Sequence, residues 1–183
     1  MDHGASSYRR YLEGNEDALG EIVKEYFDKL VFFLERYVDS NAEAEEIALD
    51  VFALLVADKN RYDFRVSLKT YLFMLGRSRA LDHLRRRKRI RFTDLSEAEQ
   101  IPDPGPDPEE LMLQDERKRA VNRALDRLDP EQRLAIHLVY FEGFSCEDAA
   151  KVLKKTRKQV YNLLYRSKCS LRSILGEEGI QLL

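Results

Sequence analysis

Residues 150–168, AKVLKKTRKQVYNLLYRSK, hold seven Lys or Arg and no acid, in a 183-residue chain whose formal net charge is −2. Such a stretch can neutralise phosphates. Between its cations stand side chains suited to base edges. Gln and Asn can read adenine bidentately, Arg and Lys can read guanine, and flat rings can rest on bases. The candidate DNA-contacting set is Lys155, Thr156, Arg157, Lys158, Gln159, Tyr161, Asn162, Tyr165 and Arg166. A second set suits unstacked, single-stranded bases: Arg61, Arg65, Lys69, Arg77, Arg79, Arg85 and Arg86 surround Tyr62, Phe64 and Tyr71. A third set is acidic. Glu43, Glu46 and Asp50 are spaced to share one helix face, where like charges repel by a few tenths of a kcal/mol per pair, so a basic partner would relieve them. Leu49 and Phe52 border that face and can add apolar contact.

The charge pattern that links these sets is blocked rather than mixed. Residues 1–60 sum to −8, residues 61–91 to +9, residues 92–116 to −9 and residues 117–183 to +6. Two basic blocks divided by an acidic stretch predict two polyanion-binding surfaces on one chain. Apolar residues at 44% and charged residues at 35% suit a folded, helix-rich protein. No apolar run reaches the roughly 18–20 residues of a membrane span, and the N-terminus lacks the apolar core of a signal peptide, so a cytoplasmic location is expected. Cys146 and Cys169 do not form a secreted disulfide framework, and His3, His83 and His137 lack metal-ligand spacing. No metal, cofactor or small-molecule substrate is expected. There is no Gly-rich phosphate loop and no nucleophile–His constellation, which argues against an enzyme.

The elements that must position these side chains read as helices. Asn15 is a candidate cap for a helix with apolar residues from Leu19 to Tyr37 at steps of three and four. Ser40 with Glu43 forms a capping-box signature for a second helix, and Ser67 caps a third that runs into the basic LDHLRRRKRIR. Residues 93–108 are acidic, Pro-rich and without apolar periodicity. They predict a linker that spans at most about 55 Å. Beyond it four helices are expected. One covers about 109–127. The second has Asp129 as cap, Pro130 in its first turn and Gly143 past its end. Ser145 with Asp148 and Thr156 with Gln159 start the last two. Small Ala150, a short turn at LKKT, and inward Val160 and Leu164 describe a helix-turn-helix. Many such turns place Gly where Lys154 stands. The fold class is therefore all-α: two small helical domains, 1–92 and 109–183, joined by an acidic linker at 93–108.

Three stretches in this order, NAEAEEIALDVFALL, SLKTYLFMLGRSRALDHLRRRKR and LDPEQRLAIHLVYFEGFSCEDAAKVL with the helix-turn-helix after it, resemble bacterial sigma factors of the extracytoplasmic-function (ECF) class. The resemblance covers nearly the whole chain, around a linker of suitable length. It implies that domain 1–92 binds core RNA polymerase and reads and melts the −10 element, and that domain 109–183 reads the −35 element. It implies that Glu46, Leu49, Asp50 and Phe52 meet the clamp helices of the largest polymerase subunit. It implies that the loop at about 61–67 captures a flipped −10 base, and that the linker threads the polymerase cleft. Two positions depart from the family pattern: its Trp is Tyr71, and its base-reading Asn falls at Ser78. The −10 set is thus Arg61, Arg65, Lys69, Tyr71, Arg77, Ser78, Arg79, Arg85 and Arg86. The partners implied are core RNA polymerase, promoter DNA and, as in many relatives, an anti-sigma protein; the free chain is expected to be a monomer. Weak duplex binding is expected in isolation, because the two domains mask each other. The rival reading is a helix-turn-helix regulator that binds operator DNA without polymerase.

Overall fold

A computed structural model describes residues 3–38, 40–93 and 121–177; most of the linker expected at 93–108, and most of the helix expected at 109–127, lie outside them. The described residues form helices α1 (His3–Leu12), α2 (Asp17–Leu34), α3 (Asn41–Ala57), α4 (Leu68–Thr93), α5 (121–126), α6 (Pro130–Ile136), α7 (Cys146–Leu153) and α8 (Arg157–Glu177). No strand occurs among the described residues. The fold is all-α, with an N-terminal bundle and a C-terminal helix-turn-helix module.

In the bundle, α2, α3 and α4 enclose Ile22, Leu30, Phe33, Leu34, Val51, Leu55, Leu68, Leu72 and Phe73, all buried. Burying side chains of this size stabilises by about 1.5–3 kcal/mol each before chain entropy is set against it. At Gly76 the backbone of α4 comes so close to α2 that an added Cβ would sit 2.9 Å from a Leu30 methyl. Helix α1 is an element the periodicity did not disclose. It is anchored by buried Tyr8 and Tyr11, one turn apart. The Tyr8 hydroxyl donates to the carbonyls of Leu55 (3.2 Å) and Lys59 (3.1 Å), and burial pushes its pKa up to about 12, so it remains a neutral donor.

The helix starts divide. Ser67 caps α4 through Thr70 N–H (3.0 Å), and Asp129, Ser145 and Thr156 each accept from the backbone as their sequence signatures predict (3.0, 3.0 and 3.2 Å). The other two starts differ. Asn15 does not cap: α2 begins at Asp17, after Glu16, without a side-chain cap bond. Ser40 also makes no cap bond. Its partner in the expected box, Glu43, turns instead to α4, to Arg87 (3.4 Å) and His83 (3.8 Å). An ion pair across two helices has displaced the local cap.

The C-terminal module is shaped by one irregularity. Helix α6 widens into a π-helical turn at His137–Phe141, where Glu142 N–H reaches back five residues to the His137 carbonyl (3.0 Å). Gly143 then takes φ 68, the left-handed region its missing Cβ allows. The pair of devices aims Glu142 and Phe144 at the N-terminal bundle. Phe144 meets Phe73 edge-on (5.0 Å between centroids), and α7 packs along α4. The two modules therefore share one continuous apolar core.

Lys154 carries the helix-turn-helix turn at φ 53, ψ 47, left-handed, as the position demands. A lysine there costs roughly 1–2 kcal/mol. Lys154→Gly relieves that strain and gives back part of it as unfolded-chain entropy. The expected net gain is about 0.5–1 kcal/mol in urea unfolding.

Candidate nucleic-acid interface

The recognition helix α8 is oriented by Val160 and Leu164, both buried, against small Ala150 of α7. This is the inward face the sequence predicts. The opposite face is open. Arg157, Lys158, Tyr161, Asn162, Tyr165 and Arg166 are exposed, with Tyr165 at 71% and Tyr161 at 49%. Arg157 lies over the Tyr161 ring (5.4 Å) and donates to its hydroxyl (3.3 Å), which fixes one cation beside one aromatic plane. Three members of the expected set, Lys155, Thr156 and Gln159, are engaged elsewhere. Lys155 pairs with Glu131 (2.8 Å) and is largely covered. The Gln159 carbonyl accepts from Thr156 N–H (2.8 Å), completing a reciprocal capping box.

The second surface lies at the start of α4. The loop between α3 and α4 turns on Phe64, a bulky residue at φ 61. Such a backbone costs energy that the surrounding structure must hold in place. Here it is held by a cluster of tilted and edge-on rings. Tyr62 is buried among Phe64 (4.6 Å), Tyr71 (5.1 Å) and Tyr8 (5.5 Å), and its hydroxyl donates to Val66 O (2.7 Å). Arg9 of α1 caps the Phe64 ring at 4.8 Å. A depression beside this loop is lined by Arg9, Phe64, Arg65 and Ser67, with Asp148 and Lys151 of α7 on its far side. Arg61, Arg65, Arg85 and Arg86 are exposed; Tyr71, Arg77, Ser78 and Arg79 are half-buried, and Tyr71 packs on Tyr62. Burial raises the Tyr71 pKa, so its phenol stays neutral.

Lys69 is the exception in this set. Its ammonium meets the Glu142 carboxylate at 2.8 Å and the Glu142 carbonyl at 2.5 Å, between the rings of Phe73 (5.7 Å) and Phe144 (4.9 Å). Contact between the modules covers Lys69, while the open face of α8 points to solvent.

On α3 the acidic set also divides. Glu46, Leu49 and Asp50 are exposed, Leu49 at 60%. The two carboxylates form no ion pair among the described residues. They border a shallow depression with Arg79 and Arg86 of α4. Phe52 does not reach this surface. It is buried against Phe27 (6.1 Å) and supports the helix from within.

Three comparisons bear on this arrangement. A family model described as Sigma-70 region 2 matches residues 22–90, and one described as Sigma-70, region 4 matches residues 118–170. The chain belongs to the ECF sigma-factor family. It is 28% identical to the ECF RNA polymerase sigma factor SigX of Bacillus subtilis (strain 168), over 84% of this chain and 82% of SigX. It is 24% identical to SigW of the same organism, over 90% and 92%. Among solved structures the fold is similar to the sigma factor RpoE, in its complex with the anti-sigma factor NepR from Bartonella quintana (TM-score 0.66, 23% identity, 86% of this chain and 96% of that one). It is also similar to CnrH in complex with the cytosolic domain of CnrY (TM-score 0.63, 21% identity, 96% of each chain).

Sigma factors are transcription factors without catalytic chemistry of their own. Among the described residues of this sigma factor, no cluster of His, Cys, Asp and Glu could hold a metal ion, and no helix is long and apolar enough to cross a membrane.

His137 is a feature of the sigma factor that spacing alone did not single out. It is 3% exposed, at the junction of the modules, between Phe32 (5.0 Å) and Phe141 (5.8 Å, stacked). Burial, then Arg36 and then Lys69, lower its pKa from 6.5 to about 4. The folded state thus favours neutral imidazole, while the unfolded chain takes up a proton near 6.5. Stability is complete above that value and falls as pH drops toward about 4, by at most about 3 kcal/mol from this group. Comparing urea midpoints of the parent chain and His137→Phe across that window checks the assignment, since the variant's profile should be the flatter of the two.

Proposed function

We propose that this chain binds core RNA polymerase and directs it to specific promoters. In this reading the exposed Glu46, Leu49 and Asp50 meet the basic clamp helices of the largest subunit. The Phe64 loop and the arginines of α4 melt and read the −10 element, and the open face of α8 enters the major groove of the −35 element. The observation that carries the reading is the pairing of two cationic surfaces, one with clustered aromatics for unpaired bases and one of a recognition helix for duplex, on a chain matched by both sigma regions. The acidic stretch around residues 93–108 connects them and suits passage through a basic channel.

The domains proposed are 1–92, 93–108 and 109–183, acting in the cytoplasm where polymerase and chromosome meet. The protein is a monomer when free. An anti-sigma protein is proposed as a further partner, because RpoE and CnrH, which share the fold, are each seen in complex with a partner protein. Reconstitution with purified core polymerase tests the reading. Start-site-specific transcripts from promoter fragments should require both components. Tight, specific operator binding by the chain alone, with no transcripts when polymerase is added, would identify a conventional helix-turn-helix regulator instead.

A further inference from the structure

A cavity of about 240 Å³ lies between the two modules, apart from both proposed DNA surfaces. Its walls include Phe32 of α2, Arg36 in the turn just after it, Leu125 of α5, Arg133 of α6, and His137 and Phe141 of the π turn. Three nitrogens of these residues are buried without a hydrogen-bond partner: Arg36 Nε, Arg133 Nε and His137 Nε2. Buried polar atoms left without partners are rare and ask for a reason. The end nitrogens of Arg133 are held by Asp126 (3.5 Å to its carboxylate, 2.6 Å to its carbonyl), so its charge is already partnered. Arg36 makes no ion pair among the described residues. Its guanidinium lies over Phe32 at 4.6 Å. His137 Nε2 stands 3.7 Å from Glu142, beyond hydrogen-bond reach, and that carboxylate is already paired with Lys69.

Two guanidinium groups against the single carboxylate of Asp126 give the cavity a positive balance. Phe32 and Phe141 give it flat apolar walls. The unpaired guanidinium of Arg36, with rings around the same space, describes a site for an anion attached to an aromatic body. We propose that this cavity binds a small aromatic anion, a single ring carrying a carboxylate or phosphate, and that its occupancy holds the two modules closed. The second part follows from the walls: α2 supplies one side and the C-terminal module the other, so a ligand that touches both binds only the closed form and shifts the population toward it. Closed, the sigma factor keeps Lys69 on Glu142. The ligand is thereby a repressing effector. That consequence rests on the proposed function, whereas the binding itself does not.

The test uses the full chain without polymerase. Benzoate and phenyl phosphate are titrated against it, with benzamide and inorganic phosphate as controls, following the His137 ring signals by NMR. Both aromatic anions should shift those signals saturably. Arg36→Gln, at a half-exposed position, should weaken binding by about tenfold or more, the loss of one charge-assisted contact. Phe141→Ala, at an exposed position, should weaken it independently. Opening the modules with Glu142→Lys should also lower affinity. Benzamide should bind at least about tenfold more weakly than benzoate. If neither aromatic anion moves the His137 signals, if Arg36→Gln binds as well as the parent, or if inorganic phosphate matches phenyl phosphate, the proposal is overturned. A separate transcription assay, with and without benzoate, reads the repressing effect without touching the binding result.

Discussion

Glu46→Arg combined with Asp50→Arg is expected to weaken association with core RNA polymerase by about a thousandfold or more, while far-ultraviolet circular dichroism stays unchanged. Both side chains stand in solvent on the outer face of α3, and neither forms an ion pair among the described residues. The helix itself is held by Ile47, Val51 and Phe52, which point the other way into the core. Surface substitutions of this kind shift stability by only about 0.5 kcal/mol. Facing a basic partner, each reversal replaces attraction with repulsion. Two such changes at about 2 kcal/mol or more apiece account for the loss. Leu49 tests the same surface without charge: Leu49→Ala should weaken binding by a smaller factor. A pull-down with core polymerase in which the double variant is retained at parental level would remove α3 from the proposed interface.

The second large effect is expected at the module junction. Glu142→Lys sets a second cation against Lys69 in a site only 7% exposed at Glu142 and 22% at Lys69. Removing one partner of a buried pair costs about 3–5 kcal/mol, chiefly because the other charge is left uncompensated. The cost falls on the closed arrangement rather than on either module's own core. The modules should separate, seen as an increased radius of gyration in small-angle scattering. Lys69 would then face solvent beside Arg65 and the Phe64 loop. Affinity for a single-stranded −10 oligonucleotide should rise by about tenfold or more, whereas duplex −35 binding should change little because the α8 face is already open. An unchanged scattering profile would show that Phe73 and Phe144 suffice to hold the junction.

Most of the fold was legible because its signals are local. Capping residues at Ser67, Asp129, Ser145 and Thr156, Pro130 in a first turn and Gly143 past an end each act within a few residues, and each is found in place. The failures share a cause. Glu43 was drawn from a local cap to Arg87 on a helix 44 residues away. Helix α1 is anchored by Tyr8 reaching Leu55 and Lys59. In hindsight, Tyr8 and Tyr11 at three-residue spacing were its signal. Long-range partners also redistributed the candidate site. Lys69 was expected beside Tyr62, Phe64 and Tyr71, but the rings it meets are Phe73 and Phe144, one from each module. Phe52 sits on a helix with apolar residues on more than one side, and periodicity alone did not say whether it faced Phe27 or solvent. The cavity around His137 depends on a π turn, which no local residue pattern announces.

The Thr156–Gln159 box has a consequence for how strictly a promoter can be read. The amide of Gln159 already serves the first turn of α8. To grasp an adenine edge it must leave that post, and a backbone N–H loses its acceptor as the base gains one. The net preference at that base step is then the small difference between two comparable arrangements. Among natural target promoters, the step opposite Gln159 should tolerate the widest variety of letters.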